Sequence, residues 1–225
     1  KKNKRSGGYN MGVYGVHPFI LLNYKNKKGD VSTIAHELGH SMHSYYSNAN
    51  QNILDANYTI MVAEIASTTN EILLAMHQIK NEKDENKKKE YAYQLMDTFR
   101  ATYFVQAMFA EFEKTVHSKI EQGEMLTSKD LNEIYYNLNK KYYGENVVVD
   151  EQIKSGWAII PHFYRPFYVY KYATGISAAI IIAKNIFEHK EGYVEKYIEM
   201  LKQGCTKKSV ELLKNTIAVA HDSGC

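Results

Sequence analysis

The sequence predicts a mainly α-helical domain with a small β-hairpin ahead of its first long helix, and three observations carry that prediction. Apolar residues recur at helical spacing in several long segments, among them Ile34 to Met42 and Tyr91 to Ile120. One short run, His17-Pro18-Phe19-Ile20-Leu21-Leu22-Asn23-Tyr24, is strand-like and is closed by the polar stretch Lys25 to Asp30. The chain has 225 residues, 44% of them hydrophobic and 24% charged, which suits one large globular unit, residues 1–225.

Taken in order, Lys1 to Arg5 is a basic run expected at a solvated end. Gly7 to Gly15 is glycine-rich but lacks the Lys-Ser/Thr ending of a phosphate-binding loop. With the strand after it, this stretch forms either an ordinary hairpin or an edge to which an extended peptide can add, Gly8, Gly12 and Gly15 leaving room for its backbone. Asp30, Ser32 and Thr33 are N-cap candidates for the first helix, in which Ile34, Ala35, Leu38 and Met42 supply the apolar face. Gly39 lies inside it and could admit another backbone or a substrate.

Tyr45 to Asn52 reads as a polar connection, after which Asp55 or Asn57 caps a helix running to Ile79. The charge run Asn81 to Glu90 is a solvated turn and helix start. A long helix follows from Tyr91 to Ile120, with Leu95, Phe99, Tyr103, Val105, Met108, Phe109 and Phe112 facing the core. Thr127 to Asp130 starts the next, which Gly144 ends; 147–157 reads as mostly irregular. Pro166 is placed at the opening of a helix through Phe167 to Phe187. Two shorter patterns, Tyr193 to Leu201 and Ser209 to Ala220, flank a turn at Gly204, and His221, Asp222 and Cys225 sit in a frayed end.

Chemistry concentrates at His36-Glu37-Leu38-Gly39-His40, an H-E-x-x-H pattern. Residues four apart lie on one helical face, so both imidazoles can reach one metal ion. Two imidazoles, a carboxylate and one open position suit zinc, with Glu37 as general base. Glu64 stands among Val62, Ala63, Ile65 and Ala66, where a carboxylate is costly without a partner such as a metal. Glu71, seven residues on and close to the same face, could orient a ligand histidine. Both glutamates could equally occupy the wet side of an amphipathic helix. A competing arrangement closes the site with His43 as a fourth ligand, giving an inactive, zinc-containing peptide-binding fragment; closed zinc sites usually draw on cysteines.

The blocks His36 to Ser44 and Val62 to Glu71, followed by Ile160-Pro161-His162-Phe163-Tyr164-Arg165-Pro166-Phe167-Tyr168-Val169-Tyr170-Lys171-Tyr172-Ala173-Thr174-Gly175, resemble the oligoendopeptidase F family of the thimet oligopeptidase group. The resemblance covers nearly the whole chain. It implies a helical zincin-type catalytic domain that hydrolyses internal bonds of oligopeptides. It implies one Zn²⁺ held by His36, His40 and Glu64, with Glu71 behind them and Glu37 as base. His162, Tyr168 and Tyr170 become candidate donors to the oxyanion, with Tyr164 or Tyr172 as alternatives. It also tips the hairpin towards substrate, assigning Gly12, Tyr14 and Tyr164 to substrate contact. The family's zinc block lies late in a longer polypeptide, so a C-terminal catalytic fragment is expected, with its own missing N-terminal portion as partner.

Composition narrows the alternatives. A net charge of +3, with acidic residues interspersed among the basic ones, does not suggest a nucleic-acid binder. Cys205 and Cys225 are too few for a disulfide framework, and no apolar stretch follows Lys1 to Arg5 as in a secretory signal. The expectation is a cytoplasmic protein without a membrane span.

Overall fold

A computed structural model describes residues 7–217. The expected solvated end at Lys1 to Arg5, and the cluster of His221, Asp222 and Cys225, lie outside them. The fold is mainly α-helical with one two-stranded antiparallel sheet, as the sequence predicts. Strand β1 (Gly8–Met11) pairs with β2 (Phe19–Leu22), Tyr9 opposite Leu21 and Met11 opposite Phe19. Eight α-helices follow among the described residues: α1 (Lys28–Asn50), α2 (Ile60–Asn81), α3 (Glu85–Phe99), α4 (Val105–Glu121), α5 (Ser128–Tyr143), α6 (Tyr170–Phe187), α7 (Tyr193–Lys202) and α8 (Ser209–Ile217). None is long and apolar enough to cross a membrane. Two compact units emerge among the described residues, one of 7–96 with 175–217, the other of 97–174.

In the first unit, α1 begins and ends outside its expected limits. It starts at Lys28, which puts Asp30 in the third helical position and not at the cap. From there Asp30 accepts the backbone N–H groups of Lys27 and Lys25, each at 2.8 Å, and these bonds hold its carboxyl below the usual range. At the other end, Tyr45 to Asn50 continues the helix instead of forming a connection. Those polar residues have partners that a helix can reach: Ser47 Oγ donates to the Ala56 carbonyl at 2.5 Å, and Ser44 Oγ meets Tyr58 Oη at 2.6 Å. Helix α2 starts at Ile60 after Thr59, so neither Asp55 nor Asn57 caps it.

The face that α1 buries is also unexpected. Leu38 is 50% exposed, whereas Glu37, Gly39, His43, Ser44 and Ser47 are buried. The cause is the closeness of α2. A Cβ on Gly39 would stand 2.6 Å from Ser67 Cα and 2.7 Å from the Ala66 carbonyl oxygen. The space at Gly39 is therefore filled by the backbone of α2, and helices that approach so closely meet through small residues, not leucines. Val62, Ile65, Ala66 and Ile72 carry the apolar face of α2, to which Ala179, Ile182, Tyr197 and Leu201 add buried surface in the same unit. Tyr197 Oη donates to the Ala66 carbonyl.

The second unit centres on Met108, Phe112, Tyr135 and Leu138, against which Trp157 and Phe163 pack. Thr127 caps α5 in a reciprocal pair with Asp130, and Gly144, at φ 75°, ends it. The expected long helix from Tyr91 to Ile120 is one helical path interrupted by a π-turn at Arg100–Phe104. Residues expected to be irregular form a 3₁₀ segment, Glu151–Ile159, begun by Asp150, whose side chain accepts the Gln152 N–H. Pro166 does not open α6. Phe167 has φ 57°, which no helix tolerates, and α6 begins only at Tyr170. The buried Glu113 carboxylate holds that turn, accepting the Phe167 N–H at 2.7 Å.

Gly39→Ala will drive a methyl into the α2 backbone, which cannot yield as a side-chain tip can. We expect a loss of ~1–3 kcal/mol in urea unfolding followed by circular dichroism, in spite of alanine's better helix propensity. Unchanged or raised stability would show that α1 and α2 can separate at no cost.

Candidate metal centre

The H-E-x-x-H residues sit in the middle of α1, and the turn geometry places His36 and His40 on one face. Their Nε2 atoms are 3.1 Å apart. Helix α2, locked against Gly39, brings Glu64 Oε2 to 3.8 Å from His36 Nε2. His36, His40 and Glu64 form the one group of three among the described residues whose ligating atoms lie within 4.8 Å of one another. In tetrahedral zinc sites with bonds of 2.0–2.1 Å, donor atoms stand roughly 3.3 Å apart. The donor set and its spacing therefore fit such an ion.

Glu71 lies two turns beyond Glu64 on the same helix. Its Oε1 accepts from His36 Nδ1 at 2.6 Å, while Ser32 Oγ donates to Oε2 at 2.8 Å. A proton on Nδ1 leaves the Nε2 lone pair of His36 facing His40 and Glu64, the tautomer a metal ligand needs. Burial alone would lower the His36 pKa; the bond to Glu71 and the charges of Glu71, Glu64 and Glu37 outweigh it and raise it. His40 has no such carboxylate, and burial beside His36 pulls it down to about 4. Burial pushes Glu64 and Glu37 up.

Glu37 is buried on the β1 side of the helix, with Oε1 3.4 Å from where a Gly8 Cβ would lie. Asn10 on β1 reaches α1 as well, donating from Nδ2 to Ser41 Oγ at 2.5 Å. His43 does not join the group: it is fully buried and stacks on Tyr58 with ring centroids 3.6 Å apart. Gly12 and Tyr14 line a cavity of about 380 Å³ that His40 also lines. The missing side chain of Gly12 is taken up within the protein, since a Cβ there would lie 2.7 Å from Ser44 Oγ. A Cβ on Gly8 would meet Leu22 in the same way.

The remaining candidates belong to the second unit and cluster among themselves. His162 stacks with Tyr168 at 5.8 Å between centroids, and Tyr172 Oη lies 3.4 Å from His162 Nε2. Tyr170, half exposed, starts α6, and Tyr164 is 75% exposed with its hydroxyl on the Ala158 carbonyl.

Two contributors were missed in the sequence. Ser32 stands four residues before His36, so helical spacing alone could have placed it on the same face; it had been read as a cap. Asn10 gave no signal, because its partners on α1 are 27 and 31 residues away.

A family model described as Peptidase family M3 matches residues 1–222. Oligopeptidase PepF of Bacillus subtilis (strain 168) is 45% identical over 213 residues, which are 95% of this chain and 32% of that protein. An oligoendopeptidase F homolog of Borreliella burgdorferi is 48% identical over 214 residues, 95% of this chain and 36% of its own. The crystal structure of oligoendopeptidase-F from Enterococcus faecium superposes with a TM-score of 0.73 at 41% identity, covering 84% of this chain and 34% of that one. A crystal structure from Chlamydophila abortus, described only as that of a peptidase, gives 0.87 at 44% identity, covering 95% of this chain and 36% of that one. This chain thus spans about a third of the length of the curated relatives it matches. With a matching model over almost all its residues and such relatives, the chain belongs to peptidase family M3, in its oligoendopeptidase F group.

Proposed function

We propose that the chain, read as one catalytic domain, is the zinc-binding part of a metalloendopeptidase acting on oligopeptides. The observation that carries this is the convergence of His36, His40 and Glu64 from two helices locked together at Gly39. These three side chains would hold the metal, and Glu71 keeps His36 in the tautomer required. Bound zinc supplies a Lewis acid that polarises a scissile carbonyl and makes water nucleophilic at neutral pH. Glu37 accepts the proton of the attacking water on its carboxylate and delivers it to the leaving amine. Its burial, which favours the protonated form, suits a group that must hold a proton between those steps.

The edge of the β1–β2 hairpin offers main-chain groups to an extended peptide, with Gly12 and Tyr14 at the cavity beside it. For His162, Tyr168 and Tyr170, with Tyr164 as a substrate contact, the support is the family likeness. The first two are donors held in one aromatic cluster with Tyr172. The oligopeptide substrates likewise rest on the names of the relatives.

The purified chain should carry about one zinc by elemental analysis. Glu64→Ala should lose most of it, and an unchanged content would remove Glu64 as a ligand. Glu37→Gln should keep the zinc while peptide hydrolysis falls by roughly 10²–10⁴-fold; turnover that persists would exclude Glu37 as base.

A pH dependence follows from His36. Zinc must displace the Nε2 proton of charged His36, a form that Glu71 stabilises from Nδ1, so affinity is lost as pH falls through a pKa raised above 6.5. Glu71→Gln removes the charge that raises it. We expect zinc affinity at pH 8 to fall by ~10–100-fold, while the midpoint of its pH profile moves to lower pH. A midpoint that stays in place would mean that Glu71 does not govern His36.

A further inference from the structure

The cavity beside His40 has a lining that carries information about substrate. It lies wholly within the first unit and encloses about 380 Å³, near the small end of the ~300–1,000 Å³ typical of ligand pockets. That is room for a side chain rather than for a length of peptide. Among the described residues, no lysine, arginine, aspartate or glutamate lines it. A charged side chain entering it would lose hydration and find no counter-charge from the protein.

Its polar groups are largely committed elsewhere. Tyr58 Oη is paired with Ser44 Oγ at 2.6 Å, Tyr14 Oη with the Gln51 carbonyl at 3.0 Å, and Asn48 Nδ2 with the Val13 carbonyl at 3.3 Å. Beside Asn10, Asn57 and His40, a guest meets ring surface from Tyr14 and Tyr58 and alkyl surface from Ile53 and Ile60. Tyr58 cannot easily swing away. Its other face is stacked on fully buried His43 with the rings 11° from parallel.

Building on the peptidase reading, we propose that this cavity is a substrate subsite for one uncharged aromatic or large aliphatic residue near the scissile bond. His40 is shared between the cavity and the metal group, which places the guest beside the reaction centre. Asn57, exposed at the cavity, is the position from which its selectivity can be changed.

The test is a series of zinc-loaded assays on one parent peptide, with Phe, Lys or Asp placed singly at each position flanking the cut. At one position Phe should exceed Lys and Asp by about tenfold or more in kcat/KM. Asn57→Asp should shift the Lys-to-Phe ratio at that position alone by about tenfold towards Lys, and Tyr14→Ala should lessen the preference for Phe. Equal rates at every position, or an Asn57→Asp effect spread evenly over all of them, would overturn the subsite. The peptidase reading stands or falls separately, on whether the parent peptide is cut. Should it not be cut, affinities of the same labelled peptides for zinc-loaded Glu37→Gln, read by fluorescence anisotropy, give the ratios directly. There a selective position supports the subsite, and equal affinities overturn it.

Discussion

Everything at the metal group depends on how closely two helices approach each other. At Gly39 the backbone of α2 occupies the volume that any other residue's Cβ would need. That contact sets the distance between a helix carrying two imidazoles and a helix carrying two carboxylates. Separate them by the width of one methyl, and Glu71 would lose the 2.6 Å bond to His36 while Glu64 withdrew from its 3.8 Å approach. A glycine in mid-helix weakens the helix by roughly 1 kcal/mol relative to alanine. That cost is offset by the close packing of α2, whose Val62, Ile65 and Ala66 are buried.

The electrostatics of the group point the same way. Three carboxylates and two imidazoles share a partly buried space, in which burial opposes charge on His36, His40, Glu37 and Glu64. Of His36, His40, Glu37 and Glu64, His36 alone is shifted towards the charged state, and it answers principally to Glu71. Glu64 and Glu37 are left with raised proton affinity, and His40 with a depressed one. An arrangement of lone pairs facing inward, with charge discouraged on Glu37, Glu64 and His40, is poor as a stabilising network. It becomes favourable when a cation neutralises the carboxylates and accepts the lone pairs. This is why the donor set is better explained by a ligand than by the needs of the fold.

Much of this was legible in the sequence, and the boundary of what was not is physical. His36 and His40 at i and i+4, and Glu64 and Glu71 seven apart, are consequences of helical pitch and need no tertiary knowledge. So are the cap at Thr127 and the stop at Gly144. The polarity of the buried face of α1 was not legible. Pattern reading assigns the inside to Leu38 and Met42, yet a helix that packs on another at backbone distance buries Gly39, His43 and Ser47 instead. For the same reason Tyr45 to Asn50 looked like a connection: Ser44 and Ser47 have partners on a segment that only the fold brings near. Asn10 belongs to the same class, since a contact between strand and helix leaves no trace in local spacing.

The second unit shows a related failure with a different cause. Proline after arginine at 165–166 is a sound sign of a helix start, because its fixed φ suits the first turn. What overrides it is one buried carboxylate. Glu113 spends an oxygen on the backbone N–H of Phe167, and the His117 ring packs on the Phe167 ring from one turn further along α4. Together these hold a left-handed phenylalanine that postpones α6 to Tyr170. A buried acid serving a backbone amide supports a conformation, as Ser47 does at the Ala56 carbonyl. By contrast, no backbone N–H among the described residues donates to the Glu64 carboxylate, which faces the imidazoles of His36 and His40 instead. The difference between these carboxylates, a buried Glu113 satisfied by the chain and a half-buried Glu64 set for a cation in the proposed site, is the most direct physical argument for where chemistry takes place in this protein.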